Sequence, residues 1–567
     1  MTFRTFGPVA IACVILVIGC TPAGRPEANG SAPGERVSQP KKMVVVSREE
    51  PLVLNDKAAV SGNGDVVEEL VSAGLVRFEP LGDAQPLLAE AVPTLDNGLV
   101  KLAADGRMET TWHLKDGVKW HDGTPVTTED LLFGLRVAQD KDLPSFGNVA
   151  FASIESVRAD DPRTIVIMWK EPYIQYDRMF SWQAALPLPR HLLEASYLED
   201  KANFTNLRYW ASDEFIHAGP YRVRQFVPAE RLLLTANPDY VLGRPKLDDL
   251  EVRFIPDGNT FIANVIGGEA QFTMGSSTTV GQAKAAADSW TDGRLEISPF
   301  QSGRGIVTQF INPDPPVQLD LRFRRALAYG FDKVAFNDVI NVGLLPPPAN
   351  SMLAIGSPEF PEIRDSIVEY PFDPRRSAQL LEEIGYRRAG AYYQDASGQD
   401  LSFSFLEVRG GAEEQLVLAA LNGWDQIGMR GVPDIKGGAI DREARATRPG
   451  LTLNSGSFNL VEPRRLFQWF HGSQAPTAEN RYQGNNRSRY VNAELDGLID
   501  RFFKTVPRQE RIELMKQIIH HQSDNATVIT AYHIVYPALI NNRVSGVTPR
   551  TGFAQAWNSH LWDINVS

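Results

Sequence analysis

The sequence predicts a mixed α/β chain of several lobes. Three observations carry that expectation. The chain has 567 residues, too many for one compact core. Short runs of β-branched and alternating apolar residues, bounded by turn residues, mark strands. Amphipathic stretches with capping residues mark helices, and the two kinds are interspersed without strict strand–helix–strand alternation.

The N-terminus carries the marks of export. Arg4 supplies a short positive region, and Pro8 to Ile18 is apolar but too short to span a bilayer. It ends in Val17-Ile18-Gly19-Cys20, which looks like a bacterial lipobox in which Cys20 is lipidated. Residues 1–19 are then a lipoprotein signal peptide. Residues 20–42, rich in Pro, Gly, Ala and Ser, read as a flexible tether with an average span of roughly 25 Å. The only cysteines are Cys13 and Cys20, so the body is expected to have neither disulfide nor thiolate chemistry. No later segment reaches the apolar length of a membrane span, which predicts a lipid-anchored, periplasmic or cell-surface body. A formal charge of -12 argues against nucleic acid as a partner.

In the body, Met43-Val44-Val45-Val46 predicts the first strand. From Asp65, DVVEELVSAGL predicts a helix with Val66, Val67, Leu70 and Val71 on one face and Asp65 and Glu68 as a capping pair. The preceding Gly62-Asn63-Gly64 reads as a turn. His113 to Leu132 (HLKDGVKWHDGTPVTTEDLL) gathers two histidines and four acids, yet reads as strand, tight turn at Asp122-Gly123, and a helix over Thr128 to Gln139 capped by Thr127 and Asp130. His113 and His121 lie too far apart in sequence for a helical metal pair. His217 to Pro256 alternates in the manner of an antiparallel sheet, with turns at Asn237-Pro238-Asp239 and Gly243-Arg244-Pro245. Asp320 to Ile340, Pro374 to Gly385 and Arg508 to His521 predict helices, the last followed by strand-like ITAYHIVYPALI.

Catalytic motifs are not found. The sequence has no GxSxG, Walker loop, GxGxxG or HExxH. Adjacent His520 and His521 would point about 100° apart on a helix and could not share a metal. Arg442, Arg445 and Arg448 recur every third residue, which predicts a solvated helix face or, alternatively, an anion site. Trp469-Phe470 and Tyr482 suit core packing or, alternatively, stacking on a flat ligand. No cofactor is expected.

The stretch WHLKDGVKWHDGTPVTTEDLLFG resembles the signature of the family-5 solute-binding proteins of ATP-binding cassette importers, the oligopeptide-, dipeptide- and nickel-binding type. Further blocks follow in that family's order: GPYRVRQF…NPDYVLGRPKLDDLEVRFIPD, LDLRFRRALAYGFDKVAFNDVINVG, DPRRSAQLLEEIGY and YVNAELDGLIDRFFKTVPRQERIELMKQI. The resemblance covers about residues 43 to 567. It implies a bilobal periplasmic-binding-protein-like fold with an inserted domain. Domain I would comprise 43–85, 200–305 and 533–567, domain II 86–199, and domain III 306–532, with a hinge between the lobes. It implies a monomer that performs no chemistry, captures a peptide or other small solute and delivers it to a membrane permease. A sensory or chaperone-like lipoprotein reusing the fold is the alternative, and a surface hydrolase a third.

The resemblance also implies site residues. Ser61 and Gly62 follow the first strand, where family members present backbone to ligand. Phe146 falls near a family aromatic that leans on ligand. Peptide-binding members carry an aspartate shortly after a tryptophan, to pair with the peptide's α-ammonium. Here Ser455 to Pro463 matches that segment, with Gly456 in place of the tryptophan and Asn459 in place of the aspartate, beside Phe458. A neutral amide cannot supply that ion pair, which leaves sugars, metal chelates and opine-like anions beside peptides as solutes.

Overall fold

The β-branched run after the tether forms the strand Lys42–Ser47, and it lies inside a seven-stranded sheet. The computed structural model describes residues 40–59, 64–147, 149–275, 278–298, 303–454, 465–550 and 555–565. Cys20, the expected lipidation site, and nearly all of the expected tether lie outside these residues. The tether's expected end is corrected: Lys41 already donates its backbone N–H to Asp248 at 2.7 Å and pairs its ammonium with Asp563 at 2.7 Å.

The seven strands run in the order Gly293–Ile297, Pro537–Asn541, Phe272–Met274, Lys42–Ser47, Asp249–Phe254, Arg231–Ala236, Tyr221–Val227. Lys42–Ser47 is parallel to both neighbours, while Tyr221–Val227, Arg231–Ala236 and Asp249–Phe254 form the antiparallel meander that alternation predicted. A five-stranded sheet has the order Arg430–Lys436, Ser402–Val408, Leu451–Leu453, Gly303–Val307, Ile529–His533, its first three strands parallel. A four-stranded antiparallel sheet, Val100–Leu102, Met108–His113, Thr164–Trp169 and Ile154–Asp161, shares one continuous core with the seven-stranded sheet. Among the described residues no helix is long and apolar enough to cross a membrane.

The chain passes between the two large sheets twice, from Ile297 to Gly303 and from His533 to Pro537. The apolar ITAYHIVYPALI is therefore two strands serving two sheets. The crossings lie side by side: Ser298 N–H donates to Tyr536 O at 3.1 Å, and Tyr536 N–H donates to Ser298 Oγ at 2.9 Å. Gly303 and His533 pair with each other in the five-stranded sheet.

Two helical expectations are also corrected. The stretch from Asp65 gives a 3-10 turn, Gly64–Val66, and one helical turn, Glu68–Val71, whose N-terminal position is Val67 without a side-chain cap. The helix stops there because Gly219 N–H takes the Val71 carbonyl at 3.1 Å, and Gly219 comes so close that a Cβ on it would sit 2.2 Å from the Val71 carbonyl carbon. Asp320 to Ile340 is two helices, Leu321–Tyr329 and Lys333–Ile340, because Asp332 accepts from Ala335 N and starts a new one. Thr128–Gln139 has the expected capping box, with Thr127 N–H donating to the Asp130 carboxylate at 2.9 Å. Pro374–Glu383 begins after the capping Asp373 and ends before Gly385, whose φ is +100°.

Two buried histidines, His121 and His217, tie the turn after Met108–His113 to the segment ahead of Tyr221–Val227. His121 Nε2–H donates to Gly219 O at 3.0 Å, and its Nδ1 accepts from His217 N at 3.3 Å. His217 Nδ1 accepts from Ala73 N at 3.2 Å and Ala218 N at 2.9 Å, while its Nε2–H donates to Pro187 O at 3.1 Å. Each ring is satisfied only when neutral, because a second proton on Nδ1 would face N–H donors. Burial pushes His121 down to about 4 and, reinforced by the neighbouring His121, pushes His217 down to about 3. An unfolded histidine takes up its proton near 6.5. The stability these neutral rings confer is thus complete above pH 6.5 and drains as pH falls toward 4, at about 1.4 kcal/mol per pH unit per ring. Urea unfolding midpoints measured from pH 7.5 to 4.5 should fall accordingly. His121→Gln, which keeps the donor to Gly219, should flatten that dependence by about one ring's share.

Candidate functional site

Beside the two crossings lies a cavity of about 440 Å³. Thr279, Val280 and Gln282 come from the capped start of the helix Val280–Asp288, which belongs to the seven-stranded side. Asn341 ends the helix Lys333–Ile340, and Glu413 stands at the start of the helix Gly411–Gln426, both on the five-stranded side. Tyr532 and Tyr536 come from the return crossing itself. Burial raises the Tyr536 hydroxyl pKa, and Glu49, Asp65 and Glu413 are among the groups that raise it further. The wall carries one carboxylate, Glu413, and one guanidinium, Arg48.

A second cavity, about 510 Å³, opens on the five-stranded side and is lined by Arg442, Arg445, Arg487, Tyr482, Gln483 and Asn485. It lies at the carboxyl ends of the parallel strands Ser402–Val408 and Leu451–Leu453, where a turning chain leaves room for ligands in open α/β sheets. The three arginines do not form a solvated face. Only Arg442 is exposed; Arg445 is 18% exposed and Arg448 4%. Arg448 donates to Arg445 O at 3.0 Å, and Arg489 donates to Ala446 O at 3.0 Å. Arg487 reaches Leu453 O at 3.2 Å and Asn454 O at 3.3 Å. Arg304, 6% exposed, donates to the same Asn454 O at 2.7 Å.

Few carboxylates answer these five cations. Glu407 Oε1 stands 3.7 Å from Arg445 Nη1, and Glu413 Oε1 stands 3.7 Å from Arg304 Nη2. Glu443 is engaged by the Tyr482 hydroxyl at 3.1 Å. Arg304 Nε, Arg445 Nη1, Arg448 Nε and Arg489 Nε are buried without a hydrogen-bond partner among the described residues. Burial, then Arg487, Arg445 and Arg489, pushes Arg448 down to about 9; burial, then Arg445 and Arg304, does the same to Arg487. Arg304 links the linings of the two cavities: it shares the Asn454 carbonyl with Arg487 and stands 3.7 Å from Glu413.

Of the residues expected from the sequence, Ser61, Gly62, Phe458 and Asn459 lie outside the described residues. Phe146 is 5% exposed, packed against Phe204 and Trp210 with ring centroids at 6.1 and 5.9 Å, which is a core environment. Trp469 and Phe470 likewise pack into a hydrophobic cluster, while Tyr482 lines the arginine cavity. Asp65 and Glu68 are not a cap. Both are buried, Glu68 to 1% exposure with neither oxygen partnered among the described residues, and burial followed by Asp56 raises its pKa well above the usual carboxylate range. Among the described residues no group of three or more His, Cys, Asp or Glu is placed to hold a metal ion. Sequence reasoning missed Arg304, Arg487, Glu407 and Glu413. No spacing rule links them, because they meet only through the five-stranded sheet.

The model of the bacterial extracellular solute-binding proteins, family 5 Middle, matches residues 83–436, and the chain belongs to that family. A Brucella ovis protein provisionally described as an ABC transporter peptide-binding protein is 30% identical over 270 residues, 47% of this chain and 47% of that protein. The match thus spans about half the length of that relative. The oligopeptide-binding protein AppA of Bacillus subtilis is 22% identical over 500 residues, covering 87% of this chain and 86% of its own. The solved structure of that protein with a nonapeptide superposes with a TM-score of 0.69 at 20% identity, over 93% of this chain and 100% of that one. NikZ of Campylobacter jejuni, in complex with Ni(L-His), gives 0.70 at 21% identity over 92% and 99%. The mixed α/β architecture is therefore that of the periplasmic solute-binding proteins.

Removing a buried carboxylate from an arginine cluster leaves its cation uncompensated. Glu407→Gln keeps the shape and the acceptor for Val408 N but deletes the charge. It should lower stability by about 3 kcal/mol in urea unfolding.

Proposed function

We propose that this chain is the substrate-binding lipoprotein of an ATP-binding cassette importer. It captures a peptide or other small solute between its lobes and delivers it, chemically unaltered, to a membrane permease. The observation that carries this reading is the cavity at the paired crossings, walled by Thr279 and Gln282 from one side and Asn341 and Glu413 from the other. A site shared by two bodies joined at one narrow place closes by hinge motion. Family membership and the peptide-binding descriptions of the Brucella and Bacillus relatives support the importer role. The three-domain division, with the insertion over 86–199, rests on the family resemblance and on the separate sheets. Anchoring through Cys20 at the periplasmic or outer cell surface, with a tether ahead of the body, rests on the N-terminal motif. The body acts as a monomer.

Glu413, on the cavity wall, is the carboxylate we assign to a free ammonium in place of the family's aspartate. Thermal unfolding of the purified protein with short free-amine peptides and their N-acetylated forms tests this. A ligand at one hundred times its dissociation constant adds about 2.7 kcal/mol of stability. The free-amine set should stabilise the protein and the acetylated set should not, and Glu413→Gln should reduce the gain. Equal responses to both sets would remove the ammonium from the recognition.

A further inference from the structure

We propose that the arginine-walled cavity is an anion subsite, taking clustered carboxylate or phosphate oxygens of the captured solute. This rests on the solute-capture reading and specifies the chemistry of what is captured. The cavity, about 510 Å³, exposes Arg442, Arg445 and Arg487 on its wall, with Arg448 and Arg489 buried behind them.

Two features separate this group from a structural arginine cluster. Arginines that serve only the fold spend their donors on carbonyls and carboxylates, because a buried guanidinium N–H without an acceptor is costly. Here four guanidinium nitrogens, on Arg304, Arg445, Arg448 and Arg489, are buried with no acceptor among the described residues. The charges are also unbalanced. Among the described residues the two carboxylates in ion-pair range, Glu407 and Glu413, both stand at 3.7 Å, beyond hydrogen-bond length, so neither saturates its arginine. Burial first, and the neighbouring arginines after it, lower the pKa of both Arg448 and Arg487. An anion with several oxygens supplies both what the donors lack and what the charge lacks. Arginine's planar fork suits carboxylate and phosphate oxygens alike.

The position fits a subsite of a larger ligand. Arg304 and Arg487 meet on the Asn454 carbonyl, and Arg304 stands 3.7 Å from Glu413, which lines the cavity at the crossings. A solute lying across both cavities would present its cationic or neutral part to Glu413 and its anionic part to the arginines.

Isothermal titration of the full chain with citrate and with inorganic phosphate tests the subsite. Sodium chloride of matched ionic strength and tri-alanine serve as controls. The wild-type chain should bind at least one of the two anions, and which one separates carboxylate from phosphate as the source. Arg445→Gln and Arg487→Gln should each weaken that binding by more than about tenfold. Arg375→Gln, at an exposed position on the distant helix Pro374–Glu383, should leave it unchanged. Circular dichroism of each variant establishes that it folds, and Arg445, with only a long ion pair, carries the test if Arg487→Gln does not fold. Binding that survives both variants overturns the proposal. So does the absence of binding by either anion; tri-alanine binding in that case leaves solute capture standing without the anion subsite.

Discussion

Everything about this molecule's cleft depends on the chain passing between its two large sheets at one place. Both crossings are short, and the hydrogen bonds between Ser298 and Tyr536 bind them into a single strap. Two independent links at separate points would lock the sheets rigidly; one alone would leave them free to swivel. A doubled strap leaves bending about the strap as the easy motion. The cavity of about 440 Å³ sits beside it because that is where side chains from both sides face one another without filling the space.

The strap can act as a pivot only if each side is rigid. On one side this follows from the neutral pair His121 and His217. Their rings engage five backbone groups, the N–H of Ala73, His217 and Ala218 and the carbonyls of Pro187 and Gly219. The apolar core runs unbroken through the same junction, with Trp112, Trp120 and Trp210 fully buried. On the other side Trp424 packs the helix Gly411–Gln426 against Phe403 and Phe405 of the five-stranded sheet, and its indole N–H donates to Leu327 O of the helix Leu321–Tyr329 at 3.0 Å. The four-stranded and seven-stranded sheets therefore share one core.

Much of this was legible in the sequence, for a physical reason. Periods of two and of 3.6 residues report which face of an element is buried. They marked the strands Lys42–Ser47, Arg231–Ala236 and Asp249–Phe254 and the helices Thr128–Gln139 and Pro374–Glu383. The turn at Asp122-Gly123 and the cap at Thr127 were readable because their chemistry is local. The division of Ile529 to Asn541 between two sheets was not, since both strands are buried on both faces and read as one apolar run. The arginine cavity was half legible. Spacing put Arg442, Arg445 and Arg448 near one another, but their burial is decided by Thr308, Gln309 and Arg489, far away in sequence. Local rules carry no information about such neighbours.

The net charge of -12 sets the arginine cavity in an unusual electrostatic setting. At distances beyond about 10 Å, a small anion in dilute buffer meets a repelling body; only inside that range does the local field of the guanidinium groups dominate. Added salt screens the long-range repulsion more than the enclosed attraction. Capture of an anionic solute by this protein would therefore speed up with moderate ionic strength, opposite to the usual case of an oppositely charged pair, and the rate of encounter, more than the strength of the complex, would report the composition of the surrounding medium.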